Sequence, residues 1–223
     1  MTPPRTVVFD LDGTLVDTAP DLIGALNVVL AREGLPAVPL ESARNMIGAG
    51  ARKLIERGLE LEGRNVSAPE LARMTQDFID HYAEHIADTS RPFDGVERAL
   101  DEQAAGGHRI AVCTNKQEWR SKRLLDRLDL SQRFAAICGA DTFGVAKPDP
   151  AILRQTVAHA GGELASTIMV GDAGTDVGAA RRAGVPVIGV SFGYTEVPMA
   201  DLKPDRIIHH MSELKAAVDS LSR

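Results

Sequence analysis

The apolar residues are spaced in one way in the second half of the chain and in another way nearer its beginning. From about residue 109 onward, short apolar runs alternate with stretches of helical spacing. The runs predict strands at residues 109–113, 135–138, 167–170, 186–190 and 206–208. Helices are predicted at residues 96–105, 118–128, 150–160, 174–183 and 211–221. Such alternation is typical of right-handed βαβ units and a mostly parallel sheet.

In the first third of the chain, one apolar run is followed only by helical spacing. Residues 7–9 predict a strand, and residues 17–20 begin a helix that runs to about residue 33. Further helical pieces are predicted at residues 40–47, 51–60 and 69–87. We therefore expect an α/β protein with a Rossmann-like, doubly wound parallel sheet, formed by residues 1–16 and 90–223. Residues 17–89 would form an inserted all-helical cap domain.

The first strand ends in two aspartates, Asp10 and Asp12, followed by Gly13. Ligand sites in open α/β sheets lie at such carboxyl ends, so this stretch is a candidate catalytic site. Two other interpretations start from the same residues. An Asp-Gly pair between apolar runs also favours a hairpin turn. An aspartate-rich loop suggests calcium, but Asp21 stands where a calcium loop needs glutamate.

Polar residues also follow the later strands. Thr114, Asn115 and Lys116 follow one strand, Lys147 follows the next after a short loop, and Asp172 and Asp176 follow a third. Parallel strands bring their carboxyl ends to one edge, so these residues are expected to converge with the first aspartates. Several carboxylates in one small site repel one another unless a cation is present, and oxygen ligands favour Mg2+. Lys147 and Thr114 supply a positive charge and a hydrogen-bond donor that suit phosphoryl oxygens.

Composition narrows the classes of function. The formal net charge of -6 and the pI of about 5.5 argue against a nucleic-acid partner. No apolar run is long enough for a membrane span, and the amino terminus lacks a signal-peptide pattern. Cys113 and Cys138 lie in apolar runs, so we expect free, buried thiols and a cytoplasmic protein. The sequence leaves open whether the chain is a monomer or a homodimer.

Four motifs now carry a family resemblance. The chain resembles the haloacid dehalogenase superfamily, on its phosphatase side, through DLDGT at residues 10–14, Thr114 in VCTN, Lys147 in KPDP and GDAGTD at residues 171–176. The early helical insertion is similar to the cap of that family. Within the family, the triplet at residues 114–116 and the cap type resemble the phosphoglycolate phosphatase branch.

The resemblance implies a role for each motif residue. Asp10 would be the nucleophile that forms an aspartyl-phosphate, and Asp12 would act as general acid and then general base. The phosphoryl oxygens would be bound by Thr114, Asn115 and Lys147. Mg2+ would be held by the carboxylates of Asp10 and Asp172 and by the backbone carbonyl of Asp12, with Asp176 supporting the metal through water. The expected substrate is a small phosphorylated metabolite.

Other patterns are given structural interpretations. His81 and His85 fit a zinc-peptidase spacing, but they lack an evident third ligand and are interpreted as a solvated helix face. Residues 48–53 lack the ending of a phosphate loop, so we interpret them as a lid loop or a helix connection. In the lid interpretation, their backbone amides and basic side chains approach the substrate. Residues 119–123 carry Trp119, Arg120, Lys122 and Arg123 and are expected to divide into a packed and a solvated face.

Two rival functions remain at this stage. A sugar-phosphate mutase of the same family would use the same aspartates to return the phosphate to a sugar. Such mutases carry an arginine directly after the lid loop, where this chain has Ala51 and places Arg52 one step later. The second rival is a non-catalytic phosphoryl-binding protein, against which the full set of motif residues argues.

Overall fold

The computed structural model describes residues 4–48, 50–195 and 197–221. Within these ranges the strands are β1 (Thr6–Phe9), β2 (Val16–Asp17), β3 (Arg91–Pro92), β4 (Arg109–Cys113), β5 (Ala136–Cys138), β6 (Thr167–Gly171), β7 (Val187–Val190) and β8 (Arg206–Ile208). The helices are α1 (Ala19–Arg32), α2 (Leu40–Ala43), α3 (Ala51–Leu61), α4 (Ala68–Glu84), α5 (Val96–Ala105), α6 (Glu118–Arg127), α7 (Pro150–His159), α8 (Gly174–Ala183), α9 (Met199–Leu202) and α10 (Leu214–Ser220).

Six strands form one sheet in the order β5-β4-β1-β6-β7-β8, and every neighbouring pair is parallel. The first strand lies in the middle, because it pairs with β4 on one side and β6 on the other. This pairing excludes the hairpin interpretation of the Asp-Gly sequence. The predicted α/β fold with a parallel sheet is confirmed.

Helices cover both faces of the sheet. Val7 and Phe9 point into one apolar cluster, which includes side chains from α5 and α10, and Val8 points into another, which includes side chains from α7 and α8. Because successive side chains of a strand point to opposite faces, each sheet face has its own core. The doubly wound arrangement predicted from the apolar runs follows from these two clusters.

The helical insertion between β1 and the rest of the sheet is also present. Helices α1, α3 and α4 pack on one another, and α4 begins with a capping box in which Ser67 and Glu70 satisfy each other's backbone amides. The predicted helix at residues 40–47 is shorter than expected: α2 ends at Ala43, and a 3-10 turn covers Arg44–Met46. The predicted helix at residues 69–87 ends at Glu84.

A two-stranded antiparallel ribbon joins the insertion to the core. Val16 pairs with Pro92 and Asp17 pairs with Arg91, so the outgoing and returning chains lie side by side. Asp21 reinforces this neck because its carboxylate accepts hydrogen bonds from the backbone amides of Thr89 and Ser90 at 2.8–3.1 Å. The ribbon was missed by the sequence analysis. Its position agrees with a cap at residues 17–89, although the division into two domains stays a proposal.

Two further details concern the rest of the chain. Cys113 and Cys138 are free and buried, as expected. In the part of the chain that the structure describes, no helix combines the length and the apolar character that a membrane crossing requires.

Candidate active site

The strand order brings the predicted site residues to one edge of the sheet. Asp10 follows β1, Thr114 follows β4 and Asp172 follows β6, and β1 lies between the other two strands. The backbone amide of Asp10 donates to the carbonyl of Val170 at 2.9 Å, which continues the β1–β6 ladder to the site. All three side chains are buried. The expected convergence at the carboxyl ends is therefore present.

Lys147 lies at the centre of the first charged network. Its ammonium is 2.7 Å from Oδ1 of Asp10 and 2.7 Å from Oδ1 of Asp176, and it donates to the carbonyl of Cys113 at 2.8 Å. The Asn115 side chain holds the Lys147 backbone from both sides: its Nδ2 donates to the carbonyl at 3.1 Å, and its Oδ1 accepts from the amide at 2.8 Å. The amide side chain of Asn115 thus positions the lysine, and its predicted contact with phosphate stays a prediction.

Asp172 is oriented by Thr14, in the loop that follows Asp12, and by the backbone of Tyr194. Thr14 Oγ1 donates to Asp172 Oδ1 at 3.0 Å, and the backbone amide of Tyr194 donates to Asp172 Oδ2 at 2.7 Å. Gly13 passes beside this carboxylate at a φ of 86°. A Cβ at Gly13 would lie 2.3 Å from Asp172 Oδ2, so only glycine lets the chain turn this close to the site.

Three buried carboxylates form a group suited to a cation. Asp10, Asp172 and Asp176 each offer an oxygen, and these oxygens lie within 4.8 Å of one another. Burial raises the pKa of Asp10 to about 6, against the opposing effect of Lys147. Burial, followed by repulsion from Asp10 and Asp176, raises the pKa of Asp172 well above its ordinary value. One lysine therefore does not neutralise this group.

The donor set fits a hard divalent cation. Oδ1 of Asp10 and Oδ1 of Asp176 are enclosed, and the partner of each among the described residues is the ammonium of Lys147, at 2.7 Å, which leaves each oxygen a further lone pair. Enclosed carboxylate oxygens with free lone pairs are the ligands that Mg2+ prefers. The structure adds Asp176 to the cluster, whereas the sequence analysis placed it in a supporting position behind the metal.

Asp12 belongs to a second network, which reaches the cap. Its Oδ1 accepts from Lys116 Nζ at 2.6 Å and from Thr18 Oγ1 at 2.8 Å. Lys116 also donates to the hydroxyl of Tyr82 on α4 at 2.8 Å, and its ammonium lies 4.8 Å from the centre of that ring. No role for Lys116 follows from the sequence pattern. No local pattern indicates the contact, because Tyr82 lies 34 residues away on another element.

A cavity lies between the two networks and the cap. Its core wall is formed by Asp10, Asp12, Thr114, Asn115, Lys116 and Arg120. Its cap wall is formed by Leu22, Ile47, Gly48, Gly50, Ala51, Leu54 and Phe78. The space open to the centre of a water molecule is about 50 Å³. A single water needs roughly 10–15 Å³ on this measure, so the cavity accepts only a few small groups.

The lid-loop interpretation of residues 48–53 is supported in part. Gly48 and Gly50 line the cavity, and Ala49 between them lies outside the described residues. The basic side chains of this segment were expected to approach the substrate, but they lie away from the cavity. Arg52 and Lys53 form ion pairs with Glu56 on α3, at 3.1 and 3.3 Å, and neither lines the cavity.

The helix after Thr114 also differs from the expectation for its side chains. Trp119 is 45% exposed, and Arg120 is buried and lines the cavity. The sequence pattern did not reveal this burial because α6 is strongly polar and its first turn looks solvated. Arg120 is a cavity residue that the sequence analysis missed.

The zinc interpretation of the histidine pair gains no support. His85 is exposed and its Nδ1 lies 2.7 Å from Asp88 Oδ2, while the His81 and His85 rings are tilted by 36° with their centres 4.4 Å apart. Among the described residues, the one group of three or more candidate ligand side chains is the aspartate cluster.

Comparison with known proteins agrees with the site. The family model described as "Haloacid dehalogenase-like hydrolase" matches residues 7–190. The phosphoglycolate phosphatase of Caulobacter vibrioides is 46% identical over 216 residues, which are 97% of this chain and 91% of that protein. The phosphoglycolate phosphatase of Mesorhizobium japonicum is 43% identical and covers 93% of this chain and 92% of its own. A crystal structure of a predicted phosphoglycolate phosphatase from Haemophilus somnus superposes with a TM-score of 0.89 at 27% identity, over 97% of this chain and 99% of that one.

Proposed function

The chain belongs to the haloacid dehalogenase-like hydrolase family, and from this premise we propose that it is a Mg2+-dependent phosphomonoesterase that hydrolyses phosphoglycolate. The observation that carries the proposal is the separation of the two aspartates. Both aspartates line the cavity, but Asp10 belongs to the buried carboxylate cluster beside Lys147, whereas Asp12 contacts Lys116. We therefore assign the attack on phosphorus to Asp10 and the position beside the leaving group to Asp12.

The first half-reaction uses both aspartates. A carboxylate oxygen of Asp10 attacks phosphorus, the bond from phosphorus to the ester oxygen breaks, and Asp12 gives its proton to the departing alkoxide. In the second half-reaction Asp12 takes a proton from water. The resulting hydroxide attacks phosphorus, the bond to Asp10 breaks, and inorganic phosphate leaves.

The remaining residues bind and neutralise the phosphoryl group. Lys147 supplies a buried positive charge beside the nucleophile, and Thr114 and Asn115 occupy the same end of the cavity. Mg2+ would be held by the carboxylates of Asp10 and Asp172, the carbonyl of Asp12 and, from behind, Asp176, and it supplies positive charge for the phosphoryl oxygens.

Phosphoglycolate is favoured over larger esters by two facts. The curated relatives at 43–46% identity carry that name. The cavity beside Asp12 admits only a small leaving group while the cap is closed. The free, buried thiols of Cys113 and Cys138 suit the cytoplasmic location that we propose with it.

Phosphate release from a panel of esters tests the proposal. The panel holds phosphoglycolate, hexose phosphates, nucleotides and pyrophosphate, each with and without Mg2+. We expect Mg2+-dependent release that is highest for phosphoglycolate, lost in Asp10→Asn, and slowed in both half-reactions in Asp12→Asn. Isomerised hexose phosphate with little released phosphate would identify a mutase instead. No turnover of any ester would refute the phosphatase proposal.

A further inference from the structure

Arg120 is a buried cation that forms no ion pair within 4.0 Å in the described part of the chain, although Asp12 and Asp141 lie near enough to act on its charge. It is 7% exposed and lies in the first turn of α6, on the core wall of the cavity. Its Nε is enclosed and has no hydrogen-bond partner within the described part of the chain. The recorded contact of its guanidinium is with the ring of Trp119, at 5.9 Å from the ring centre. A buried charge without a partner is unfavourable, so its presence calls for a ligand.

The other cations near the cavity are already engaged. Lys116 contacts Asp12, and Lys147 contacts Asp10 and Asp176. Burial lowers the pKa of Arg120, and the acidic groups around it offset only part of that effect. The guanidinium remains charged at neutral pH because an arginine side chain loses its proton only in strongly alkaline solution. Arg120 is therefore the cation available to a bound anion on this wall.

The geometry points to Arg120 as the residue that binds the carboxylate of the substrate's leaving group, so that the enzyme selects short phosphoesters that carry a carboxylate. This inference rests on the proposed function and deepens it. The phosphoryl group occupies the end of the cavity at Asp10, and the leaving oxygen lies beside Asp12. The rest of the leaving group then lies in the space that Arg120 lines.

The chemistry of the wall suits a carboxylate. A guanidinium offers two parallel N–H donors, which match the two oxygens of a carboxylate. The facing cap wall contributes the apolar side chains of Leu54 and Phe78. Because an apolar surrounding strengthens a charged hydrogen bond, the pair gains specificity when the cap is closed.

Substitution of Arg120 tests the inference with two esters of similar size. Phosphoglycolate carries the carboxylate, and ethyl phosphate does not. In Arg120→Gln we expect kcat/KM for phosphoglycolate to fall by about 100-fold, mainly through KM, because two charged hydrogen bonds are lost. The value for ethyl phosphate should change by less than about threefold, because that ester makes neither bond. Arg120→Lys should restore part of the loss, since it keeps the charge but not the paired donors.

Arg123→Gln is the matched control, because Arg123 lies on the same helix and is exposed. It should leave both esters unchanged. An equal fall for both esters in Arg120→Gln would overturn the inference while the phosphatase function stands.

Ligand binding separates the inference from turnover. 3-Phosphonopropionate resembles phosphoglycolate without a hydrolysable bond, and propylphosphonate resembles it without the carboxylate as well. With Mg2+, the unmodified protein should bind the first at least tenfold more tightly, and Arg120→Gln should remove the difference. Equal affinity of the unmodified protein for both would overturn the inference. If the affinities differ as expected but no ester is hydrolysed, the proposed function alone fails.

Discussion

Two lysine–aspartate pairs lie on the core side of the cavity, and they differ in what holds them. The pair of Lys147 and Asp10 lies wholly within the core and is supported by Asp176 and by Asn115. The pair of Lys116 and Asp12 depends also on Tyr82, which belongs to the cap. The first pair is independent of the cap, and the second has one of its contacts there.

This difference suggests that the Lys147–Asp10 pair depends on core contacts, whereas the Lys116–Asp12 pair depends in part on the position of the cap. Asp10, the proposed nucleophile, is paired with Lys147, which also contacts Asp176 and the carbonyl of Cys113 in the core. Asp12, the proposed proton carrier, is paired with Lys116, which also donates to Tyr82 on α4, so a movement of the cap would change the contacts of this lysine. Replacing residues on each side therefore separates effects on the core from effects on closure.

Removing the core lysine should have the largest effect. Lys147→Met leaves Asp10 and Asp176 buried together without their cation, so the free energy of unfolding without Mg2+ should fall by about 3–5 kcal/mol. Phosphate release should fall by at least about a thousandfold, since a buried charge beside the nucleophile is lost. Urea unfolding and a phosphate assay measure the two effects. Lys122→Met, which removes a surface ion pair with Glu118, is the control and should change stability by less than about 1 kcal/mol. Equal stabilities of the two variants would contradict the core network.

Metal binding should be the next largest effect, and it depends on pH. The pKa of Asp10 is raised to about 6, so the folded protein binds this proton more tightly than the unfolded chain does. Asp10 therefore contributes to the free energy of unfolding at low pH, and this contribution is lost as the pH rises through about 6. Mg2+ replaces the proton. At a hundredfold excess over its Kd it should add about 2.7 kcal/mol at pH 7.5, and less at pH 5.

Thermal unfolding with and without Mg2+ at the two pH values measures this linkage. Asp172→Asn should remove most of the increase in Tm, because it takes away one of the proposed ligands. An increase that is the same at both pH values, or that survives in this variant, would show that Mg2+ binds elsewhere.

The smallest effect is expected on the cap side. Tyr82→Phe removes one hydroxyl and keeps the ring, so stability should fall by about 1 kcal/mol, and kcat/KM for phosphoglycolate by less than about tenfold. A double-mutant cycle with Lys116→Met isolates the contact, with an expected coupling of about 1 kcal/mol. Additive effects would show that Lys116 and Tyr82 do not interact in the folded protein.

Much of this fold could be predicted from local pattern. Strands β4 and β8 have the predicted bounds, because each is a short apolar run between turn-forming or polar residues. The ribbon of β2 and β3 was not predicted, because a strand of two residues shows no periodicity and because proline, here Pro92, is rare in strands. The helix predicted at residues 211–221 begins with a 3-10 turn over Met211–Glu213.

Some residues of the site could likewise be predicted from local sequence, and others could not. Asp10, Thr114, Lys147 and Asp172 were predicted because each follows a strand, and the strand order brings them together. Lys116 and Arg120 were not assigned roles, because their positions depend on what the cap places opposite them. Local sequence shows Arg120 in a polar helix, whereas its burial arises from packing between elements far apart in the chain.

The neck between cap and core has a consequence for how such a protein is assembled from parts. Val16 and Pro92 are ladder partners, so the insertion leaves and re-enters the core at points about 5 Å apart. A two-residue turn spans that gap. Because the two ends of the insertion lie side by side, a shorter or different insertion can replace it without a change in the strand order of the sheet. The apolar side chains that the insertion contributes to the cavity, Leu54 and Phe78 among them, can therefore change while the order of the strands stays the same.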